Sequence, residues 1–512
     1  MNHRIEKLLQ KHKPTADSLT DPLMSLDTSR LGDDIAAFKR DGLAQAFIRR
    51  RIVFFMDGYR YALRAAEKRW GINFGFYETG TEPVKKVYFS GQFKEKSAAV
   101  WLERMNAQPD FSVNLIKELK TIIEIEKYLA GKIPSSGLTK EGITMYLEDH
   151  LSWWVQFFEL GFLWFSVEDI QQDADEQIKK AWTGSRESLS EFLDAVYRPM
   201  SLPVSSVEQR DILRISQLEG DDFEQALDSH WKKYRHLSMH NIDDEPFDKG
   251  YYLSRINTLK QEGEYAKQRD LLALANREIE QAAELLTAVD IPAGLKTRIE
   301  FVRWFMFLRT ESVDNMMLVN AAYRPVFDSL AELFGLPIEA VLNMTYKEIF
   351  MSLQAGQPIF SKATILDRLE NGYAYFIGYN TEALLTGGDM QKLFDVLHPV
   401  TTEDVITQFT GQVAFRGNVQ ALARVILDRK NASELKEGEI LVTPMTSPDF
   451  VPAMKISSGI ITNEGGVLCH AAIMSRELRK PCIIGTKNAT DIIKTGDLIE
   501  LNADTGLIKI IN

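Results

Sequence analysis

The sequence predicts a multidomain chain, mostly α-helical through its N-terminal and central region and followed by a small α/β domain. Three observations carry this reading. The chain has 512 residues, enough for about three domains of ordinary size. From about residue 110 to 400, apolar residues recur at helical spacing. Near residue 408 that period gives way to short β-branched runs separated by glycines. The expected boundaries are 1–110, 111–400 and 408–512.

Residues 1–110 read as a helical region with a β-hairpin or loop insertion. Ile35 to Trp70 carries apolar residues at helical spacing among Arg and Lys. Phe74 to Gln92 breaks the pattern with Gly75, Gly80, Pro83 and Gly91 around β-prone pieces. In 111–400, Leu115, Ile116, Leu119, Ile122, Ile123, Ile125 and Leu129 make an amphipathic stripe. Ser188–Tyr197 and Phe223–Arg235 are similar. Ser254–Leu286 fits one long helix or two. Leu295–Phe334 reads as two helices, the second stopped by Gly335 with Pro337 just beyond.

The last hundred or so residues alternate β-prone runs with glycine turns. The runs are Gln412–Phe415, Ala421–Leu427, Glu439–Thr443, Gly459–Thr462, Pro481–Ile484, Leu498–Leu501 and Leu507–Ile511. One helix stands among them, from about His470 to Arg479. Several strands with one or two helices make a compact domain. Ahead of it, His398 to Thr402 is short, partly polar and suited to a hinge.

Composition narrows the function classes. Lys plus Arg is 60 and Asp plus Glu is 72, a net charge of -12. No run of Lys and Arg with interleaved aromatics occurs, so a nucleic-acid partner is not expected. The only cysteines are Cys469 and Cys482, which excludes a disulfide framework and a Cys-rich zinc site. No apolar signal core follows the N-terminus. The most apolar stretch, Trp153 to Val167, is interrupted by Gln156 and Glu159 and is too short and polar to span a bilayer. The expected address is the cytoplasm, with no membrane partner.

One segment carries chemistry, from Gly459 to Leu478. A β-branched strand ends at Thr462, and Gly465 and Gly466 allow a tight turn and close approach of a ligand to the backbone. A helix follows with Ala471, Met474 and Leu478 on one face. His470 then sits in the first turn, near free N–H groups and the positive end of the macrodipole. Such a place keeps the imidazole neutral and nucleophilic near pH 7 and favours negative charge on it afterwards. Arg476, nearly two turns along, either reaches back to phosphate oxygens or points to solvent.

This segment resembles the phosphohistidine motif of the PEP-utilising enzyme family. The family pattern is a Thr, two Gly, a small residue, His-Ala-Ala-Ile, Arg-Glu-Leu and Pro. The chain supplies Thr462, Gly465, Gly466, Cys469, His470, Ala471, Ala472, Ile473, Arg476, Glu477, Leu478 and Pro481. Gly438 to Val442 with Thr446-Ser447-Pro448-Asp449 resembles the family's approach to the site. Asp497 to Leu501 with Thr505-Gly506 resembles its closing strands. Arg479-Lys480 departs from the family's Gly and apolar residue. The resemblance implies a swivelling domain with a phosphoryl group carried on His470, and a loop formed by Thr462, Gly465, Gly466, Cys469 and Arg476. Further upstream, Trp304–Phe334 with Arg303 and Arg309, Met344 to Phe350, and Ile365 to Arg368 resemble the helical substrate domain of rifampin phosphotransferase and phenylphosphate synthase-type dikinases.

Other residues have a bland reading beside the functional one. His230, His236 and His240 with Asp243 and Asp244 could ligate a metal, but their spacing and the neighbouring Trp231 and Tyr234 favour packing, so no metal site is expected. Trp153 and Trp154 could line a substrate pocket, though aromatic density on a helix is more often core. Arg303 and Arg309 could hold an acidic group or be solvated. Cys469 reads as a small residue with a weak hydrogen bond.

No Gly-x-x-x-x-Gly-Lys-Ser/Thr loop is present, and residues 1–110 are too few for the ATP-grasp domain that charges the histidine in this family. The expectation is therefore a phosphotransferase component, a helical domain and carrier without the ATP-grasp domain. Mg²⁺ and ATP would bind on an ATP-grasp-type subunit, and His470 would deliver the phosphoryl group to a hydroxyl or enol of a small-molecule acceptor. The alternative is a non-catalytic phosphohistidine relay or regulatory subunit.

Overall fold

The computed structural model describes residues 2–11, 28–41, 43–49, 53–72, 75–80, 85–90, 93–108, 110–161, 163, 166–261, 264–359, 361–378, 381–397, 407–447, 450–465 and 469–511. The chain divides into two units. One gathers Met1–Asp21, Val53–Asn73 and Gln92–Ile365; the other gathers Pro22–Ile52, Phe74–Gly91 and Leu366–Asn512. The segment expected to act as a hinge, His398 to Thr402, lies outside the described residues.

The first unit is helical. Its helices include α1 (Val53–Trp70), α2 (Phe111–Lys132), α3 (Lys140–Gly161), α4 (Val204–Ile215), α5 (Lys249–Leu259), α6 (Glu264–Ala288), α7 (Ala293–Phe334) and α8 (Tyr346–Ala355). The stripe read on α2 is buried at Leu115, Ile122, Ile123, Ile125 and Leu129, and α2 packs along α7. Helix α8 starts on a capping box: Glu348 N–H donates to Thr345 Oγ1 at 3.1 Å, and Thr345 N–H donates to Glu348 Oε2 at 2.8 Å. The segment that fitted one helix or two is two, α5 and α6.

Leu295–Phe334 was expected to break into two helices and instead forms a single helix, α7, of 42 residues with Pro325 inside. A proline removes one backbone hydrogen bond. Burial on both sides of it outweighs that loss: Phe301, Val302 and Phe305 before, Val326, Phe327 and Leu330 after. Gly335 then ends the helix in a left-handed cap with φ 59°.

The second unit contains two sheets. A five-stranded antiparallel sheet has the order β1-β3-β2-β4-β5, from β1 (Leu43–Arg49), β2 (Phe76–Gly80), β3 (Lys85–Ser90), β4 (Tyr373–Ile377) and β5 (Glu382–Leu385). This corrects two local readings. Strands β1 and β4 both lie within stretches read as helical, while the expected hairpin β2–β3 is present and forms the middle of a sheet completed by residues some 300 positions later. Strand β4 is buried along its whole length. Period alone does not separate a short, fully buried strand from a buried helix segment.

The C-terminal sheet has eight strands in the order β6-β13-β12-β8-β9-β10-β11-β7. They are β6 (Gln408–Thr410), β7 (Gln412–Phe415), β8 (Asn418–Val425), β9 (Ile440–Thr443), β10 (Gly459–Thr462), β11 (Cys482–Ile484), β12 (Leu498–Asn502) and β13 (Leu507–Ile510). Strands β8 to β11 are mutually parallel, and the outer pairings are antiparallel. Side chains alternate between two cores. Leu441, Ile460, Cys482 and Ile484 face the helices α9 (Val451–Ile456) and α10 (His470–Leu478) through Met454, Ala471 and Ala472. Ile440, Val442, Ile461 and Ile483 face Ile499, Leu501 and Ile508. Among the described residues no helix is long and apolar enough to cross a membrane.

Candidate functional site

The parallel pairing of β9 with β10 sets Thr443 opposite Thr462, so both strands end at the same edge of the sheet. Ligand sites of open α/β sheets lie beyond such strand ends. The loop after β9 turns with Thr443 Oγ1 donating to Met445 O at 3.0 Å and presents Thr446. The loop after β10 turns with Thr462 Oγ1 donating to Glu464 O at 2.6 Å and leads into α10, whose first residue is His470. Thr446 Oγ1 and His470 Nδ1 lie 2.8 Å apart.

The turn needs glycine at 465. Its φ is +117°, and a Cβ there would meet Cys469 Sγ at 2.6 Å. Gly466, also expected in the loop, lies outside the described residues. Cys469 is the N-cap of α10, its Sγ accepting from Ala472 N–H at 3.4 Å. Burial pushes its thiol up, so it serves as a small cap and not as a thiolate. Behind the turn, Thr486 donates from both its N–H (3.1 Å) and Oγ1 (3.0 Å) to Thr462 O. Asn463, buried, accepts from Thr490 N–H at 3.0 Å and donates to Thr490 Oγ1 at 2.7 Å.

The imidazole of His470 is pulled down to about 4 by burial. The direction is the one expected for a ring at a helix start, but the cause is desolvation, which disfavours the charged form. The ring is therefore neutral at pH 7. With its proton on Nδ1 and donated to Thr446, the Nε2 lone pair is free to act as a nucleophile. Arg476 is exposed, and its Nε donates to Ala414 O of β7 at 3.3 Å.

Residues 435–506 match the family model of the PEP-utilising enzyme mobile domain. The C-terminal domain is a PEP-utilising enzyme mobile domain. A probable phosphoenolpyruvate synthase of Methanothermobacter thermautotrophicus is 40% identical over 139 residues, 25% of this chain and 20% of that protein. A second, from Pyrococcus horikoshii, is 54% identical over 84 residues, 16% of this chain and 10% of that protein. The chain thus matches a fifth or less of the length of these curated relatives. Among solved structures, aconitase X of Thermococcus kodakaraensis shares 17% identity, with 20% of this chain and 98% of that one covered, at a TM-score of 0.17. A score that low carries no argument.

Of the loop residues expected from the sequence, Thr462, Gly465 and Cys469 lie together beside His470, whereas Arg476 bonds to β7; the candidates in the helical unit lie on separate helices. Trp153 and Trp154 are 0% and 1% exposed, packed edge to face in α3 with ring centroids 5.5 Å apart. Arg303 is buried in α7, its Nε donating to Arg198 O at 2.8 Å and its Nη2 to Ile279 O at 3.1 Å. Arg309, six positions later, is exposed. His230 bonds Glu208 Oε1 at 2.9 Å, and His236 lies in a short 3-10 turn. Sequence reasoning placed Thr446 only in a flanking run. Its role depends on a contact across 24 positions that no local pattern encodes.

Proposed function

We propose that His470 is a phosphoryl carrier and that the mobile domain delivers its cargo to a small-molecule acceptor held by the helical unit. The observation that carries this reading is the neutral imidazole at the start of α10, hydrogen-bonded through Nδ1 to Thr446. The Nε2 lone pair attacks the phosphorus of the donor; a P–N bond forms and the bond from phosphorus to the donor's leaving oxygen breaks. The Nδ1 proton stays on the ring, held by Thr446. In the second half, a hydroxyl or enol oxygen of the acceptor attacks the phosphorus and gives up its proton to water, the P–N bond breaks, and the ring leaves as the neutral imidazole with its proton still on Nδ1. The orphan N–H groups at the head of α10 offer donors to the transferring oxygens.

In this proposal ATP and Mg²⁺, which clamps the transferring phosphates, bind on a separate ATP-grasp-type chain. The test is to incubate the full chain with labelled ATP and Mg²⁺, with and without the ATP-grasp-type chain. Label is expected on this chain only when both are present. Robust labelling of this chain alone would overturn the two-chain arrangement.

A further inference from the structure

Helices α4 and α6 of the helical unit leave a cleft between them. Its two lobes, of about 350 and 500 Å³, share Arg210 and Asn276 in their walls. The larger lobe combines Arg210, Arg214 and Arg269 with Leu213, Tyr265 and Leu272, and no carboxylate lines it. The larger lobe is therefore cationic, on a chain of net charge -12, while Glu280 lines the smaller one. Arg269 is engaged, its guanidinium pairing with Asp270 at 2.8 Å. Arg210 and Arg214 make no ion pair or side-chain hydrogen bond among the described residues. They stand four positions apart, on one face of α4. The helix beneath them is fixed: Ser205 N–H donates to Asp314 Oδ2 at 2.9 Å, and Gln209 Nε2 donates to Gln268 Oε1 of α6 at 2.5 Å.

We propose that this cleft binds a small organic anion, with its carboxylate, sulfonate or phosphate on Arg210 and Arg214 and its apolar body against Leu213, Leu272 and Tyr265. Two guanidinium groups on one helix face match a single anionic group better than a lone cation does. The apolar wall selects against inorganic ions. The site lies in the helical unit and does not depend on phosphorylation of His470.

The probe is 1-anilinonaphthalene-8-sulfonate, whose fluorescence reports binding to the full chain. Its neutral counterpart, N-phenyl-1-naphthylamine, and inorganic phosphate serve as comparisons. The sulfonate is expected to bind more tightly than either. The double variant Arg210→Ala/Arg214→Ala should weaken it about tenfold or more, the worth of a charged hydrogen bond or two. The neutral probe should be unaffected, and Arg210→Lys/Arg214→Lys should recover part of the affinity. Unchanged sulfonate binding in the double alanine variant would overturn the site. So would inorganic phosphate binding as tightly as the sulfonate, because the apolar wall would then contribute nothing.

Discussion

Thr446 Oγ1 lies 2.8 Å from His470 Nδ1, joining the loops that leave two adjacent parallel strands. This contact holds the imidazole at Nδ1 and, with the proton there, leaves Nε2 as the unprotonated nitrogen. Thr446 is thus a positioning residue.

Thr446→Val removes the hydroxyl and keeps the shape. Phosphorylation of the chain should slow about tenfold, the worth of one lost hydrogen bond of about 1–1.5 kcal/mol in a transition state. Thr446→Ser should restore most of the rate. A purely structural role would instead lower the melting temperature of the valine variant and leave its labelling rate near the parent's.

The neutral ring has a pH signature. His470 should titrate at about 4 by NMR of its ring protons, well below the usual 6.5, so labelling should not fall as pH drops from 8 to 5.5 through loss of the free base. Stability follows the same sign. Between about 4 and 6.5 the unfolded chain binds the proton that the folded ring refuses, so stability rises with pH across that window. The contribution is full above about 6.5 and is lost as pH falls toward 4. His470→Gln should therefore lose less stability between pH 7 and pH 5 than the parent, by denaturant midpoint. His236, held at about 4, and His150, at about 3, respond in the same direction in the helical unit and remain in the variant.

Gly465→Ala should cost about 2–4 kcal/mol. The alanine would have to adopt a φ of +117° with its Cβ 2.6 Å from Cys469 Sγ. Thermal unfolding of the full chain, followed by calorimetry, should show a lowered transition for the unit containing the mobile domain.

Arg479 presents the opposite case. It caps α10 in the left-handed region, at φ 52°, where glycine carries no penalty. Arg479→Gly should raise stability by about 1 kcal/mol, read as a shift in denaturant midpoint.

Arg479 also shows how far the sequence could be read. Its departure from the usual glycine was visible in the sequence, but the strain needed the backbone angle. The strands of the mobile domain were legible because glycines punctuate them and their β-branched runs are short. Only β6, whose Gln408 and Thr410 flank a single apolar residue, gave too little signal. The five-stranded sheet was not legible, because Phe76–Gly80 finds its partner at Tyr373–Ile377. Helix α7 was misdivided because burial of Val326 and Phe327 outweighs the local effect of Pro325. At the site, His470, Gly465 and Cys469 were legible from one contiguous motif. Thr446, Asn463 and Thr486 were not, because they meet it through space.

Peptide mapping decides whether His470 carries the phosphoryl group. The full chain is incubated with an ATP-grasp-type chain, Mg²⁺ and ATP labelled at both the β and γ positions, then digested under alkaline conditions. The chain has eight histidines. An acid-labile, base-stable label is expected in the peptide containing His470 and in no other, and it should be absent from the His470→Ala protein. Label on a different peptide, or undiminished label in the alanine variant, would contradict the account.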